Sequence, residues 1–414
     1  MSGLVTGAGA VFADASYRRL WGTGALSGIS RWLEFLALGI YAYELTRSPP
    51  LVALLAVLRM MPYVALGFVM GALADRFDRR RLLILATAVM FITASAMAVL
   101  VSSGRGSYAA VAVATMIGGA FWTVDMPVRR RLLVDGVGAG RVAAALGFDN
   151  ATNYATRALG PLIGGVTYQL LGIHGIYLLI AASYALSMGL AIGLPRAAAA
   201  GPPPAKPGGI LAALAVPREL ILNRRFGVIM GVTLVYNLFC FPFTSMVPVI
   251  AQKDFLLIPA MVGVVSACDG IGGTIGALAV GVLGSERTLF RTYYAGTLTL
   301  LGLMLLLSFN LSLYPAIVIL LLIGGAAACF SATQYALVHV TSPPEVRGRA
   351  TGVLSLFIGS AMFGHYLAGQ LFGTFSSPHA IRIMALAGIA ILLMLGLLWL
   401  TARPPQPEPA GPHP

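Results

Sequence analysis

The stretch GALADRFDRRR, residues 71–81, places six charged side chains between Asp75 and Arg81 and lies between two long apolar runs. Elsewhere the chain is poor in charge: charged residues make up 10% of its 414 residues, hydrophobic residues 58%, and the mean hydropathy is +0.88. A soluble domain has about 25% charged residues. The composition therefore predicts an integral membrane protein, and the charged stretch predicts a loop between two of its membrane segments.

Apolar segments bounded by charged or turn residues recur along the whole chain. Twelve are present: 17–44, 50–74, 82–103, 107–127, 140–171, 173–195, 222–250, 258–284, 290–309, 313–339, 347–374 and 381–401. Each has about the 20 residues that cross a bilayer as a helix, or more. Because the runs are continuous, without the alternation of barrel strands, we predict an all-α integral membrane protein with twelve transmembrane helices.

A Pro- and Gly-rich stretch, LPRAAAAGPPPAKPGG at residues 194–209, is too short for a domain and divides the chain near its middle. The two parts also repeat: Arg59 lies twelve residues before Gly71, and Asp269 lies twelve residues before Gly281. Parallel repeats of this kind place a substrate site at their interface, near the middle of the membrane. The predicted organisation is an N-terminal six-helix half (1–195), a cytoplasmic linker (196–221), a C-terminal six-helix half (222–402) and a short Pro-rich tail (403–414).

Basic residues are distributed unequally between the two sides of the membrane. Of the 27 Lys and Arg residues, three lie within spans and four lie in loops opposite the termini, so 20 remain on the side of the termini and the linker. By the positive-inside rule both termini are cytoplasmic, in a plasma membrane or bacterial inner membrane. The net charge of +13 is thus a topology signal. We expect no nucleic-acid partner, because no basic patch with interleaved aromatic residues lies outside the apolar segments.

The sequence carries no motif for catalysis, nucleotides or metals. Cys240, Cys268 and Cys329 lie far apart in apolar runs without metal-ligand spacing, and Walker, GxSxG and HExxH sequences are absent. We therefore expect a protein that is not an enzyme and that has no metal or cofactor. A pump of this kind draws on an ion gradient, which we expect to be one of protons. The expected partners are a small-molecule substrate and the lipid bilayer, with the chain acting as a monomer.

Ionisable side chains within spans cost roughly 2.5 to 3.5 kcal/mol each near the middle of a helix, so each calls for an interior or functional explanation. Arg31 and Glu34 lie one turn apart in the first span and are predicted to pair. Asp149 and Arg157 lie on one face of the fifth span and are expected near each other. Two interpretations stay open: each carboxylate carries a proton by changing its surroundings during transport, or each pair is a permanent lock between helices.

Asp269 stands alone among the glycines of the eighth span. We expect it to meet Arg59 or Arg31 across helices, and we favour proton coupling or substrate contact over a purely structural role. As the proton carrier, Glu34 ranks first because Arg31 is its neighbour, Asp269 ranks second and Asp149 third.

The opening stretch resembles the loop signature of the major facilitator superfamily, in which a small-residue helix end and an Asp are followed by a basic cluster. The matching residues are Gly71, Leu73, Asp75, Arg76, Arg80 and Arg81. Three further stretches, YELTRSP (43–49), RMMPYVALGFVMGALADR (59–76) and RALGPLIGG (157–165), are similar to the enterobactin-exporter and macrolide-efflux branch. The resemblance covers nearly the whole chain. It implies the major facilitator fold, with two six-helix parallel repeats that move by alternating access.

The resemblance implies a gate in the loop between the second and third helices. Its residues are Gly71, Asp75, Arg76 and Arg80. Asp75 is expected to contact a basic group or a helix N-terminus of the other half and so to favour the outward-facing state. The alternative is that the cluster only anchors the loop in the cytoplasm. At the end of the fourth helix, Asp125 is expected to act as a gate or topology partner of Arg129 or Arg130.

A Gly- and Pro-rich motif in the fifth helix consists of Gly160, Pro161, Gly164 and Gly165. It resembles the antiporter motif of drug exporters, which implies that it seals the transporter against leak. Small residues four apart also permit close helix contact by themselves, so simple packing is the alternative.

Polar and aromatic residues in the spans are candidates for the substrate cavity, because rings stack on drug-like compounds and offer a cation–π face. They are Trp32, Tyr41, Trp122 and Asn153 in the first half and Tyr236, Asn237, Phe243, Gln334 and Tyr335 in the second. The function that these patterns favour is proton-coupled export of a small amphipathic compound, such as a drug or a siderophore. The alternatives are an importer or lipid flippase of the same fold, or a transport-dead membrane sensor or scaffold.

Overall fold

The computed structural model describes residues 11–76, 78–138, 141–195, 220, 222–309 and 312–400, and within them the side chains of all but 66–76, 143 and 286. This part of the chain is almost entirely helical and contains no strand, and a helix covers each of the twelve predicted segments. The predicted linker (196–221), apart from Leu220, and the predicted tail (403–414) lie outside the described residues.

Six helical segments form the N-terminal half. Four are separate helices: α1 Ala15–Thr46, α2 Pro49–Arg76, α3 Arg79–Ser102 and α4 Tyr108–Gly136. The other two form one run, Val142–Ile192, which breaks at Gly172 into α5 (142–171) and α6 (173–192). Gly172 has a φ of 63° and a ψ of −167°. Because a side chain opposes this conformation, the corner between α5 and α6 requires glycine.

The C-terminal half contains six further segments, two of them interrupted. They are α7 (Arg224–Val235, a π-helical turn Tyr236–Cys240, and Phe243–Lys253), α8 Pro259–Leu283, α9 Leu289–Leu307, α10 Leu313–Thr341, α11 (Arg347–Gly359 and Ala361–Thr374) and α12 Ser377–Leu400. The interruption of α7 falls at Pro242, which has no N–H group for the helical hydrogen-bond ladder.

Nine of the described segments are long and apolar enough to cross a membrane. They contain α3 to α12, with α5 and α6 joined in one segment. The shorter range Pro49–Ala65 of α2 is also apolar, whereas α1 carries Arg31 and Glu34 near its middle. The protein is thus a multi-pass membrane protein, and the number of twelve crossings stays a prediction.

Short polar side chains begin helices on the side of the termini. Asp78, the second acidic residue of the opening stretch, accepts hydrogen bonds from the backbone N–H groups of Arg80 and Arg81 at 2.9 and 3.3 Å and so caps α3. Asn223 caps α7 in the same way through the N–H of Phe226, at 3.1 Å. The charged loop therefore also starts a helix.

The two halves contact each other mainly through two helix pairs, α5 with α8 and α2 with α11. Gly165 and Gly263 bring α5 and α8 together, since a Cβ on Gly165 would lie 2.8 Å from the Cα of Gly263. A Cβ on Gly369 of α11 would lie 2.5 Å from the Cβ of Ala53 in α2. These contacts lie near the ends of α5 and α11 and the starts of α2 and α8. The halves are therefore closed against each other on the side opposite the termini.

Candidate functional site

An ion pair between α1 and α2 lies inside the N-terminal half. Nη2 of Arg59 is 2.6 Å from Oε2 of Glu34, and the two side chains are 10% and 5% exposed. The predicted pairing of Glu34 with Arg31 is therefore wrong. Arg31 precedes Glu34 along the helix, an order less favourable for a pair than the reverse, and α2 brings another guanidinium to the carboxylate.

Arg31 instead lies among neutral and aromatic groups. Its Nη2 donates a hydrogen bond to Oδ1 of Asn153 at 2.6 Å. Its Cζ lies 4.8 Å from the ring centroid of Trp122 and 5.4 Å from that of Trp32. Within the part of the chain that the structure describes, Arg31 forms no ion pair. Its direct contacts are this hydrogen bond and the two rings, while the charge of Asp125 attracts it from a greater distance.

Asp149, near the start of α5, connects that helix to α4. Its carboxylate accepts hydrogen bonds from Nη1 of Arg129 and, at 3.0 Å, from Nε of Arg130. The expected proximity of Asp149 to Arg157 is wrong, because eight residues of helix separate the two by about 12 Å. Arg129 also lies 3.6 Å from Asp125, which confirms the contact predicted for that aspartate, while its role as a gate stays a prediction.

One ion pair joins the two halves. Nε of Arg157 in α5 is 2.7 Å from Oδ2 of Asp269 in α8, and the side chains are 17% and 15% exposed. The expected partners of Asp269, Arg59 and Arg31, are wrong, because α8 packs directly on α5: a Cβ on Gly270 would lie 2.6 Å from the carbonyl carbon of Arg157. Among the ion pairs of the described residues, this is the one that a separation of the halves would break.

Two small cavities lie beside these charges. The first, which we call the N-half cavity, has about 20 Å³ and lies within the N-terminal half. Its charged lining consists of Arg31, Arg59, Asp125, Arg129 and Asp149. The second, the interface cavity, has about 30 Å³ and lies between the halves, where its lining includes Trp32, Phe35, Arg157, Phe243, Pro248 and Asp269. The ion pair that joins the halves thus forms part of the wall of the interface cavity.

Four of the predicted cavity residues line these two cavities. They are Trp32 and Phe243 in the interface cavity and Trp122 and Asn153 in the N-half cavity. Tyr335 is 51% exposed on α10. Tyr41 lies against the loop before α4, where a Cβ on Gly106 would be 2.5 Å from its hydroxyl.

Three more predicted cavity residues are satisfied inside the C-terminal half. Tyr236, Asn237 and Gln334 are 8%, 4% and 5% exposed. Nδ2 of Asn237 donates a hydrogen bond to the carbonyl oxygen of Thr233 at 2.8 Å, and the ring of Tyr236 stacks on Phe330 with centroids 3.7 Å apart. None of the three lines either cavity in this conformation, so their place in a substrate cavity stays a prediction.

The predicted gate in the loop after α2 is described only in part. The side chains of Gly71, Asp75 and Arg76 lie outside the described residues, so their role stays a prediction. Nη2 of Arg80 donates a hydrogen bond to the carbonyl oxygen of Ile192 at 2.5 Å. Arg80 therefore connects α3 to the end of α6 within one half.

The residues of the antiporter-like motif face two different neighbours. Cβ atoms on Gly160 and Gly164 would lie 2.5 and 3.4 Å from atoms of α1, within the N-terminal half. Gly165 and the carbonyl of Pro161 instead lie against Gly263 of the other half. Close packing therefore explains Gly160 and Gly164, whereas Gly165 and Pro161 stand where the halves close. Sealing against leak stays a prediction.

The partners in two further polar contacts have no signal in the sequence, although a buried, hydrogen-bonded role is the expectation for His365. The hydroxyl groups of Tyr154 and Ser331 hydrogen-bond across the halves at 3.2 Å, and Nδ1 of His365 lies 3.0 Å from Oγ of Ser245 between α11 and α7. Single hydroxyl groups occur in most of the spans, so nothing local distinguishes these. The π-helical turn of α7 is equally unpredicted, although such turns frequently occur at functional sites.

Two helical halves that meet around small cavities are the architecture found in transporters that work by alternating access. The chain matches the Major Facilitator Superfamily over residues 20–363 and 229–414. It belongs to this family and is therefore a membrane transporter and not an enzyme.

Three curated proteins illustrate its similarity within the family. The chain is 24% identical over 352 residues to "Enterobactin exporter EntS" of Salmonella typhi, covering 82% of this chain and 83% of that protein. It is 24% identical over 341 residues to "Multidrug efflux pump Tap" of Mycolicibacterium fortuitum, with coverages of 77% and 80%. A shorter match, 27% identical over 172 residues, is to "Uncharacterized MFS-type transporter YfiS" of Bacillus subtilis and spans 41% of this chain and 40% of that protein.

Solved structures confirm the fold. The crystal structure of the nucleoside transporter NupG superposes with a TM-score of 0.73 at 12% identity and covers 93% of this chain and 99% of that one. At this identity the similarity concerns the fold alone. The predicted all-α fold of two parallel repeats is thus confirmed.

Proposed function

We propose that the protein is a proton-coupled exporter of a small amphipathic compound, which it moves by alternating access. The observation that carries this proposal is the Arg157–Asp269 pair, which has one member in each half and lies in the wall of the interface cavity. Rocking of the halves separates α5 from α8 and breaks the pair. Protonation of Asp269 removes its charge and lowers the cost of that separation.

Asp269 thereby replaces Glu34 as the first candidate for the proton carrier. The sequence favours Glu34 because of its neighbour Arg31, but the partner of Glu34 is Arg59 in the same half, and rocking of rigid halves leaves that pair intact. Asp149 is likewise paired with two arginines of its own half. A carboxylate that changes surroundings during the cycle is best placed at the interface of the halves.

Export is supported by the relatives whose names state it, the enterobactin exporter and the multidrug efflux pump. On the strength of these names the proposal assigns to this protein a drug or siderophore-like metabolite. We further propose a monomer in the bacterial inner membrane, with both termini cytoplasmic and no cofactor. In that orientation the two halves are closed against each other on the outer side.

The test begins with the substrate. A deletion strain and an overexpressing strain are screened against a toxin panel, with siderophore secretion measured alongside. The purified protein is then reconstituted in vesicles, a pH gradient is imposed across their membrane, and uptake of the compound found in the screen is measured. Accumulation against the substrate gradient, driven by protons moving the opposite way, is the expected result. Accumulation with the proton flow would make the protein an importer, and movement of labelled lipid alone would make it a flippase.

A further inference from the structure

Charged side chains surround the N-half cavity in the interior of the N-terminal half. Three guanidinium groups and three carboxylates line or adjoin this cavity: Arg31, Arg59 and Arg129 with Glu34, Asp125 and Asp149. All members except Arg31 take part in ion pairs among the described residues. Arg31, near the middle of α1, is therefore the cation of this group without a direct ion-pair contact, and a charge at this depth is costly.

Hydrogen-bond donors without acceptors surround the N-half cavity. Among the described residues no acceptor is in reach of Nε of Arg31, Nη1 of Arg59 or Nε1 of Trp122. Arg59 is 9% exposed, so its free N–H points into a buried space. One acceptor, Oδ1 of Asp125, also lacks a partner. A carboxylate ligand brings acceptors and no donor, so it complements the N–H groups and not Asp125.

The aromatic rings beside Arg31 lead from the N-half cavity to the interface cavity. The guanidinium of Arg31 contacts the rings of Trp122 and Trp32. Cζ of Arg157 also lies over the ring of Trp32, 5.1 Å from its centroid. Trp32 itself lines the apolar interface cavity. The N-half cavity, at about 20 Å³, has room for a small polar group but not for a ring. A charged head on one side of Trp32 and an apolar body on the other match an amphipathic acid.

We propose that Arg31 binds a carboxylate of the transported compound, which is therefore an amphipathic organic acid. The acidic group lies at Arg31 between Trp122 and Trp32, and the apolar part of the compound extends past Trp32 to the interface cavity. This assignment rests on the proposed transport function only in naming the ligand as the substrate. Binding of the acid is a property of the protein that can be measured without transport.

A positively charged recess on the side of the termini is consistent with such a ligand. The recess has about 560 Å³ and is lined in part by Arg130, Arg131, Asp135 and Asn150. Its one aspartate is already paired with Arg79 at 2.6 Å. Basic side chains at a surface raise the local concentration of anions and the rate at which they bind.

The experiment compares an acid with its neutral isostere. Binding of 1-naphthoate and of 1-naphthamide to the purified full-length protein in detergent is measured by calorimetry. We expect the acid to bind at least about tenfold more tightly, and Arg31→Gln to reduce this ratio to about one. Asn153→Asp gives Arg31 a carboxylate partner in the same shape and should abolish the preference too. Arg382→Gln is the matched control, because Arg382 also has a ring contact, at 4.4 Å from Phe309, and no ion pair among the described residues.

The outcomes separate this inference from the function. The inference is overturned if the acid binds no more tightly than the amide, whether both bind or neither does. It is also overturned if the preference survives in both Arg31→Gln and Asn153→Asp with melting temperatures that show folded protein. A retained preference in a protein that moves no compound in vesicles would support the site and refute the transport proposal. Proton-driven transport of neutral compounds alone would support the transport proposal and refute the carboxylate site at Arg31.

Discussion

The interior of the N-terminal half is charged, whereas the interior of the C-terminal half is neutral and aromatic. In the N-terminal half, Arg59 pairs with Glu34 and Arg129 with Asp149, all largely buried. In the C-terminal half, Tyr293 donates a hydrogen bond to the carbonyl oxygen of Ile229 at 3.0 Å, and neighbouring rings stack on each other. Among the described residues, Asp269 is the carboxylate that this half contributes to an ion pair, and its partner lies in the other half.

This difference shows that the fold does not require the charges. Two halves of the same architecture pack their helices, one with ion pairs and the other with neutral hydrogen bonds and ring stacking. Buried ion pairs give little net stability, because desolvation offsets most of the attraction. The charges of the N-terminal half and the one carboxylate of the C-terminal half are therefore better explained by transport than by folding.

The largest effect is expected from Asp269→Asn, which removes the charge that the C-terminal half contributes to the ion pair between the halves. Because the amide of the variant cannot bind and release a proton as the carboxylate does, the variant should lose uphill transport driven by a pH gradient. It should retain exchange of substrate across the vesicle membrane, because exchange needs rocking but no net proton movement. Initial rates of both processes in reconstituted vesicles provide the measurement.

Glu34→Gln is the matched control within the comparison, since it removes a charge from a pair inside one half. It should retain uphill transport. If Asp269→Asn still accumulates substrate while Glu34→Gln does not, coupling belongs to the N-terminal half and the ranking by position at the interface is wrong.

The second largest effect concerns stability. Asp149→Ala removes the carboxylate shared by Arg129 and Arg130 and leaves the buried Arg129 with Asp125 alone, at 3.6 Å. Loss of one partner from a buried pair costs about 3–5 kcal/mol. The melting temperature of the purified protein should fall clearly. Asp135→Ala is the control: that carboxylate is 49% exposed, and such pairs contribute about 0–1 kcal/mol. Equal losses for the two variants would contradict a desolvated charge network at Asp149.

A third prediction concerns the surface where the two halves close. In Gly165→Ala the new Cβ would lie 2.6 Å from the carbonyl oxygen of Pro259 and 2.8 Å from Gly263, both backbone atoms that cannot move aside alone. Overpacking of this kind costs about 1–3 kcal/mol, so this conformation should lose population roughly tenfold. Distances between spin labels on the two halves would measure the shift.

Gly147→Ala, in the same helix, is the control for Gly165→Ala, because a Cβ there meets no atom within 4 Å. Its spin-label distances should equal those of the parent. An unchanged distribution in Gly165→Ala would mean that the close approach of α5 and α8 is not what holds the halves together on this side.

Much of the fold could be predicted from the sequence, whereas the partners inside it could not. Continuous apolar runs and the Pro-rich linker locate each helix, because hydropathy and chain breaks are local properties. The partner of Glu34 depends on which residue of α2 faces α1, and that is set by packing between helices. The same holds for Asp269, whose partner follows from the contact of α5 with α8. Asp125 and Arg129, one turn apart, form the predicted contact because a single helix fixes their distance.

The smallest effect is expected in the neutral interior of the C-terminal half. Tyr293→Phe removes a hydroxyl that donates to the carbonyl oxygen of Ile229 and lies 2.6 Å from the hydroxyl of Thr233. One neutral hydrogen bond contributes about 1 kcal/mol, and Thr233 keeps its own bond to the carbonyl of Ile229 at 3.0 Å. The melting temperature should fall slightly, less than in Asp149→Ala, while the ratio of uphill transport to exchange stays that of the parent. A change in that ratio would show that the C-terminal interior takes part in coupling. The charged interior of the N-terminal half and the neutral interior of the C-terminal half would then no longer differ in their roles.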